Sequence, residues 1–363
     1  MITQTANKFT PDYVISPGEI LEETLEARGI KKKEFAERCG LSDKTVSLII
    51  HGKAPVLPET AIQFERVLGV SAAIWNNLEA AYRLHHANKA EQDKLNTQRQ
   101  WAKRFPVNEL AKRGFIEKPD DAIDAVRKLL NFFAVASIEI WEKRYASMLV
   151  AYRHSPSFKS APEAVATWLR IGELVAERIE TAPYSRDTFL AALNQIRSLT
   201  SSSDFEHKMK TLCQEAGIAL VFVPEFKNTR LSGATRWLTK DKALIILSLR
   251  HKRDDHLWFS FFHESAHILH HGKKETFLDE KDTPESDQEK EADAFAADFL
   301  IPAKSYRDFI KNKIFSEKSI RLFAEQQGIA PGIIVGRLQR DKQITYGSLN
   351  HLKRVFEFKT EIS

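Results

Sequence analysis

The stretch Phe261-Phe262-His263-Glu264-Ser265-Ala266-His267-Ile268-Leu269-His270-His271 constrains this chain more than any other. It contains His-Glu-x-x-His. Residues four apart share one face of an α-helix, so a helical segment here lets both histidines point at one metal ion. Glu264 projects beside them, where a carboxylate can take a proton from water activated at the metal. Phe261, Phe262, Ile268 and Leu269 are apolar, as a helix buried in an enzyme core requires. In a chain with this much His and Glu the pattern arises by chance in roughly a few per cent of cases. A third ligand therefore has to decide.

A candidate lies downstream, in Glu289-Lys290-Glu291-Ala292-Asp293-Ala294-Phe295-Ala296-Ala297-Asp298-Phe299-Leu300-Ile301-Pro302. Ala292, Phe295, Ala296, Phe299 and Leu300 follow the i, i+3, i+4, i+7, i+8 spacing of an amphipathic helix. Glu289 falls one turn before Asp293, near the buried edge of that face. It can complete a His, His, Glu set that leaves the fourth metal position open. Asp293 can hydrogen-bond the far nitrogen of a ligating histidine and fix its tautomer. Glu291 competes for the ligand role, but about 100 degrees of rotation per residue carries it toward the other edge. Helical geometry favours Glu289.

Residues from about Ile218 to Pro302 resemble the ImmA/IrrE family of zinc metallopeptidases. The likeness rests on His263-Glu264-x-x-His267 with Leu269 and His271, then Glu-x-x-Ala-Asp-x-Phe-Ala ending in Leu-Ile-Pro. The Glu-x-x-Ala-Asp form is also similar to that of other gluzincin-type peptidases. This resemblance implies zinc (Zn2+) at His263, His267 and Glu289, with Glu264 as general base and Asp293 behind a ligand. It also implies substrates that are transcriptional repressors of the helix-turn-helix class, cleaved to switch on stress or mobile-element genes.

The amino-terminal region has a different character. After a polar arm over residues 1–16, Pro17 opens a helix at its favoured first-turn position and Gly29 ends it. Lys33 to Cys39 forms a second helix, Gly40 turns the chain, and Ser42 caps a third helix running to about His51. Pro58 to Leu68 and Ser71 to Leu84 give two more. Ala36, Gly40, Val46 and Ile49 carry helix-turn-helix spacing: small at the crossing, permissive at the turn, apolar at the packing face. From Arg28 to Lys53 there are seven Lys/Arg against three acids, a local excess that favours phosphate contact.

Ser16-Pro17-Gly18-Glu19-Ile20-Leu21, Gly52-Lys53 and Trp75-Asn76-Asn77-Leu78-Glu79-Ala80-Ala81-Tyr82 resemble a HigA-type antitoxin of the xenobiotic-response-element (XRE) repressor family. That likeness implies double-stranded operator DNA as a partner and a homodimer formed through this domain. It implies that Ser42, Lys44, Thr45 and Ser47 lie near bases or phosphates, and Lys53 near the backbone. Asp43 departs from the basic or amide residue often seen early in such recognition helices.

At 363 residues the chain has room for several domains. We expect a helix-turn-helix domain over 1–84, a helical middle region over 85–200, and a gluzincin-like metallopeptidase domain over 201–363 with a helical extension. The fold class is mainly α with a small β-sheet (α+β). Net charge is +5, compatible with nucleic acid without demanding it. With Cys39 and Cys213 as the two cysteines, a disulfide framework is not expected and a reducing cytoplasm fits. The amino terminus lacks the features of a signal peptide, and no apolar run reaches bilayer length, so no membrane is expected as a partner.

Between these motifs, helices are expected over Asp120 to Met148, Pro162 to Ile179, Ser185 to Leu199 and Asp204 to Ala216, with a loop around Ser155-Pro156-Ser157. No motif in this middle third carries chemistry. Ile218 to Val223, Ala234 to Leu238 and Ala243 to Leu247 read as strands of a small sheet beside the His263 helix. An edge of that sheet could pair with an extended peptide; Arg230 and Arg236 lie nearby. In the tail, Ala324, Gly328 and Ile334 repeat the offsets of Ala36, Gly40 and Val46. Arg337 falls where Ile49 packs the first unit, and Pro331-Gly332 weakens the start of the second helix. A helical pair packed on the protease is therefore expected over a second DNA reader.

Two functions follow. One is a DNA-binding regulator with zinc-dependent endopeptidase activity, cleaving a helix-turn-helix repressor or antitoxin. The other is a HigA-like antitoxin or autorepressor whose zinc domain is a sensor or scaffold without turnover. Glu264 favours the enzyme, because a binding-only site needs no general base. His256, His270, His271 and Tyr306 are the candidates for stabilising the oxyanion.

Overall fold

The structure is a computed structural model that describes residues 14–145, 161–227, 229, 231–271, 276–280 and 287–358. The loop expected around Ser155-Pro156-Ser157, and Arg230, lie outside the described residues. The chain separates into two compact units, Met1–Arg99 and Gln100–Ser363.

The first unit is built on α1 (Pro17–Ala27), α2 (Lys32–Cys39), α3 (Asp43–Ile50), α4 (Pro58–Leu68) and all but the last turn of α5 (Ala72–Ala102). Its helix starts are set by local chemistry. Ser16 and Glu19 form a reciprocal capping box around Pro17, and Ser42 Oγ accepts the Thr45 amide at 3.0 Å. Gly40 adopts φ +67°, the left-handed turn that brings α3 across α2. Leu21, Phe35, Val46, Ala61, Phe64 and Trp75 close the core. The last helix continues past Leu84, as the polar stretch from His85 to about Lys118, which reads as helix extending into a linker, leads one to expect. No Gly or Pro interrupts Ala72 to Phe105, and Ala, Lys, Glu, Gln and Arg dominate the extension, so nothing stops it before Pro106.

In the second unit, β1 (Ile218–Phe222), β2 (Leu231–Thr239), β3 (Lys242–Leu247) and β4 (Thr276–Glu280) form a mixed four-stranded sheet in the order β1-β3-β2-β4. Only β1 and β3 run parallel, with Ile218 opposite Ala243. The β2–β4 pair, with Ala234 opposite Leu278, adds a strand that the sequence pattern did not reveal.

One face of this sheet is covered by the helix Pro162–Glu177 of the middle region. Trp168 Nε1 donates to the Val223 carbonyl at 2.9 Å, Lys242 Nζ donates to the Ala176 carbonyl at 2.7 Å, and Arg236 pairs with buried Glu173. At the crossing, a Cβ on Gly172 would stand 2.7 Å from Ile246 Cγ1. From Gln100 onward, the helical region thus shares a compact unit with the sheet.

The helix Asp254–His270 lies against β2 and β3, buried along nearly its whole length. Helix Asp287–Leu300 packs on it, as does Pro331–Arg340 of the tail. Gly332 and Gly336 make the second approach possible, since a Cβ on either would run into Asp254 or Asp255. Gly328 turns at φ +66°, as Gly40 does. Here, however, the following helix buries Ile333, Ile334, Val335 and Leu338. The tail is a helical pair packed on the Asp254–His270 helix, as expected.

Candidate metal centre and nucleic-acid interface

Two helices meet at three ligand-type side chains. His263 Nε2 and His267 Nε2 stand 3.1 Å apart, with Glu289 Oε2 3.1 Å from the first and Oε1 3.5 Å from the second. Among the described residues this is the one group of His, Cys, Asp and Glu side chains arranged to hold a metal ion. His263 and His267 are almost fully buried. Burial alone would raise the Glu289 carboxyl, but its hydrogen bonds to the two histidines outweigh that and hold it at about 2. Burial also keeps His267 below the usual imidazole range.

Each histidine is oriented from behind. His263 Nδ1 meets Asp293 Oδ1 at 2.9 Å, and Asp293 is held in turn by Arg340, whose guanidinium lies 4.6 Å from the Phe259 ring centre. Burial raises the Asp293 carboxyl, yet His263 and Arg340 together keep it below its ordinary range. His267 Nδ1 meets His271 Nδ1 at 2.8 Å, and His271 Nε2 faces Glu291 at 3.4 Å. Glu291 thus serves His271, while Glu289 reaches the two motif histidines.

Glu264 is completely buried beside them. Thr235 Oγ1 donates to Glu264 Oε2 at 2.5 Å and stands 3.1 Å from its backbone carbonyl. Two residues earlier on the same face of β2, Gly233 clears the space the carboxylate occupies: a Cβ there would sit 2.6 Å from Oε1. Arg236 points to the other face, toward Glu173 and away from Glu264. Sequence reasoning missed Gly233, Thr235 and Arg340. A glycine just before the strand pattern that starts at Ala234 was the signal available for the first.

In the first unit, Ser42, Lys44, Ser47 and Lys53 are exposed along α3 and the turn after it, and Thr45 is half-buried. Ser42 Oγ and Thr45 Oγ1 lie 2.8 Å apart at the start of α3, and His51 Nδ1 lies 2.7 Å from the Ser47 carbonyl. The helix is held by its opposite face: Gly18 brings α1 against the Ile49 and Ile50 carbonyls, and the Tyr82 hydroxyl would stand 3.1 Å from a Cβ at Gly52. Glu79 Oε2 accepts the Val56 amide at 2.9 Å, tying α5 to the turn.

Residues 21–75 match the helix-turn-helix family. Over 73 residues the chain is 37% identical to the uncharacterised HTH-type transcriptional regulator YddM of Escherichia coli, covering 78% of that protein and 20% of this chain. This chain belongs to the HTH-type transcriptional regulators. Residues 213–337 match the IrrE N-terminal-like domain. Among solved structures, the chain is similar to a protein described as an antidote of a plasmid maintenance system from Nostoc punctiforme. That match has 27% identity, 23% of this chain, 92% of the other and a TM-score of 0.23. A Pseudomonas aeruginosa protein solved with its operator DNA matches at 33% identity, over 22% of this chain and 85% of its own, with a TM-score of 0.21.

The IrrE N-terminal-like domain of this HTH-type regulator holds a cleft of about 590 Å3 beside His263 and Glu289. Its walls come from the Asp254–His270 and Asp287–Leu300 helices and from the tail, through Arg337, Arg340, Tyr346 and Lys353. Of the four oxyanion candidates, His256 lines this cleft. His270 turns to Phe295, His271 stands behind His267, and Tyr306 is buried with Arg337 over its ring. No helix among the described residues is long and apolar enough to cross a membrane.

Proposed function

We propose that this HTH-type regulator is a zinc-dependent endopeptidase that cleaves a helix-turn-helix repressor or antitoxin. The observation that carries it is the meeting of His263, His267 and Glu289 with Glu264 buried beside them on the strap formed by Gly233 and Thr235. The donor set fits zinc: two imidazole nitrogens and one carboxylate on rigid helices. With Nδ1 of each histidine engaged from behind, the two Nε2 lone pairs face each other at 3.1 Å, an arrangement that a cation between them relieves.

When bound, zinc supplies Lewis acidity toward water and the peptide carbonyl. Glu264 takes the proton of the attacking water and hands it to the leaving amine. Thr235 holds one oxygen of that carboxylate in place. Asp293, braced by Arg340, keeps His263 in the tautomer that presents Nε2. The exposed row Ser42, Lys44, Ser47 and Lys53, with Thr45, contacts operator DNA, with the domain acting as a homodimer in the cytoplasm, where the operator is.

Metal content and cleavage of a repressor encoded beside this gene, compared between wild type and Glu264→Gln, test the reading. Zinc in both and cleavage by wild type alone supports it. The match of the first unit to an HTH-type regulator favours a second reading, an autorepressor with a zinc scaffold. Zinc in both proteins with cleavage by neither would shift the weight there. Absence of bound metal after reconstitution would sink both.

A further inference from the structure

The cleft follows the Asp254–His270 helix away from the candidate metal centre. Asp255, His256, Phe259, Ser260 and His263 line it, a stripe at helical spacing on one face. His256 precedes His263 by seven residues, or about 10 Å along the axis. An extended peptide advances about 3.4 Å per residue. A peptide whose scissile bond lies at His263 therefore brings a side chain about three positions away to His256.

That far end of the cleft is positively charged. Arg253, the residue before the helix, also lines the cleft; its Nη1 donates to the Asn350 carbonyl at 3.1 Å. No carboxylate pairs with its guanidinium among the described residues. Beside it, His251 and His256 stack with ring centres 4.0 Å apart and planes at 26°. Each of the two acids at the helix start faces a cation, and Asp255 Oδ2 also lies 4.0 Å from His256 Nε2. Lys353 Nζ donates to Asp255 Oδ2 at 2.6 Å. Asp254, fully buried, accepts the Asp255 amide at 2.9 Å and faces Arg354 at 3.5 Å. Near the metal centre, by contrast, Arg340 and Arg337 each carry a carboxylate partner, Asp293 and Asp341. Among the described Arg and Lys side chains that line the cleft, Arg253 is the one without a carboxylate partner.

Resting on the endopeptidase reading, we propose that Arg253 with His256 forms a specificity subsite for an acidic side chain, Asp or Glu, about three residues from the scissile bond. A guanidinium with unused donors makes charge-assisted hydrogen bonds to a carboxylate that an amide of the same shape cannot replace. The subsite selects; it takes no part in bond breaking.

The test uses the full-length, zinc-loaded Glu264→Gln protein as a bait for a randomised library of ten-residue peptides, read by mass spectrometry. Retained peptides should be enriched roughly tenfold in Asp and Glu over Asn and Gln. Adding Arg253→Glu should abolish or reverse that preference, which also separates it from any attraction to the basic helix-turn-helix surface. Arg253→Lys should keep it, and guards against a mere folding defect. Digestion of the same library by wild type should align the acid two to four positions from the cut. No retained peptides, no acidic enrichment, or enrichment unchanged by Arg253→Glu overturns the inference. Acidic enrichment that depends on Arg253, without cleavage by wild type, upholds the subsite and removes the endopeptidase reading. Cleavage with no acidic preference does the reverse.

Discussion

Glu264 lies under a strand with no room for a methyl group. A Cβ at Gly233 would stand 2.6 Å from its Oε1 and 2.8 Å from its Cγ, well inside van der Waals contact. Gly233→Ala should turn the carboxylate aside and cut cleavage by roughly 10²-fold, while zinc content measured by mass spectrometry stays at wild-type level. Asp293→Ala should do the opposite kind of damage, lowering zinc affinity by about 10–100-fold in a chelator competition. The contrast also shows what was legible beforehand. His263, Glu264 and His267 follow the period of one helix and Glu289 and Asp293 that of another, and each period can be counted in the sequence. Thr235 touches Glu264 across 29 residues, and no local period encodes that register.

At the scale of elements, α3 owes its position to α1. Gly18 sits against the Ile49 and Ile50 carbonyls, backbone atoms that cannot swing away. Gly18→Ala should therefore cost about 3 kcal/mol, seen as a lower melting temperature of the first unit, with operator affinity falling as that unit unfolds. Lys44→Ala leaves the fold intact, because the side chain is exposed. It should weaken operator binding across sequences and reduce the slope of log K against log salt by about one. Helix starts here were readable because Ser16, Pro17, Ser42 and Pro58 act on their own first turns. The end of α5 was not, since a polar run without Gly or Pro reads equally as helix or linker. Nor was β4, which joins the sheet through backbone pairing that its side chains do not announce.

The tail fastens the second unit across long stretches of chain. Lys353, 6% exposed, joins Asp255, 8% exposed, and also donates to Gln339 Oε1 at 2.7 Å. Lys353→Met leaves that carboxylate buried without its cation and should destabilise the unit by about 3–5 kcal/mol, with Asp255→Asn in the same chain restoring part of it in a urea titration. Zinc should act on this unit alone. At about 1,000 times Kd it adds about 4 kcal/mol, so a chelator should lower one calorimetric transition and leave that of the first unit in place. The helical pair of the tail was legible from its echo of Ala36, Gly40 and Val46; its place as a cleft wall depends on packing that no motif records.

The two faces of β2 bear on how such regulators are assembled over evolutionary time. Gly233 and Thr235 serve Glu264 on one side, and Arg236 grips Glu173 on the other. Recombination that cut the gene near residue 201 would strip Trp168, Gly172 and Glu173 from the sheet and bare the back of the strand that steadies the Glu264 carboxylate. The inheritable cassette is therefore the span from about residue 100, and lineages that exchange DNA-reading heads should join them upstream of it.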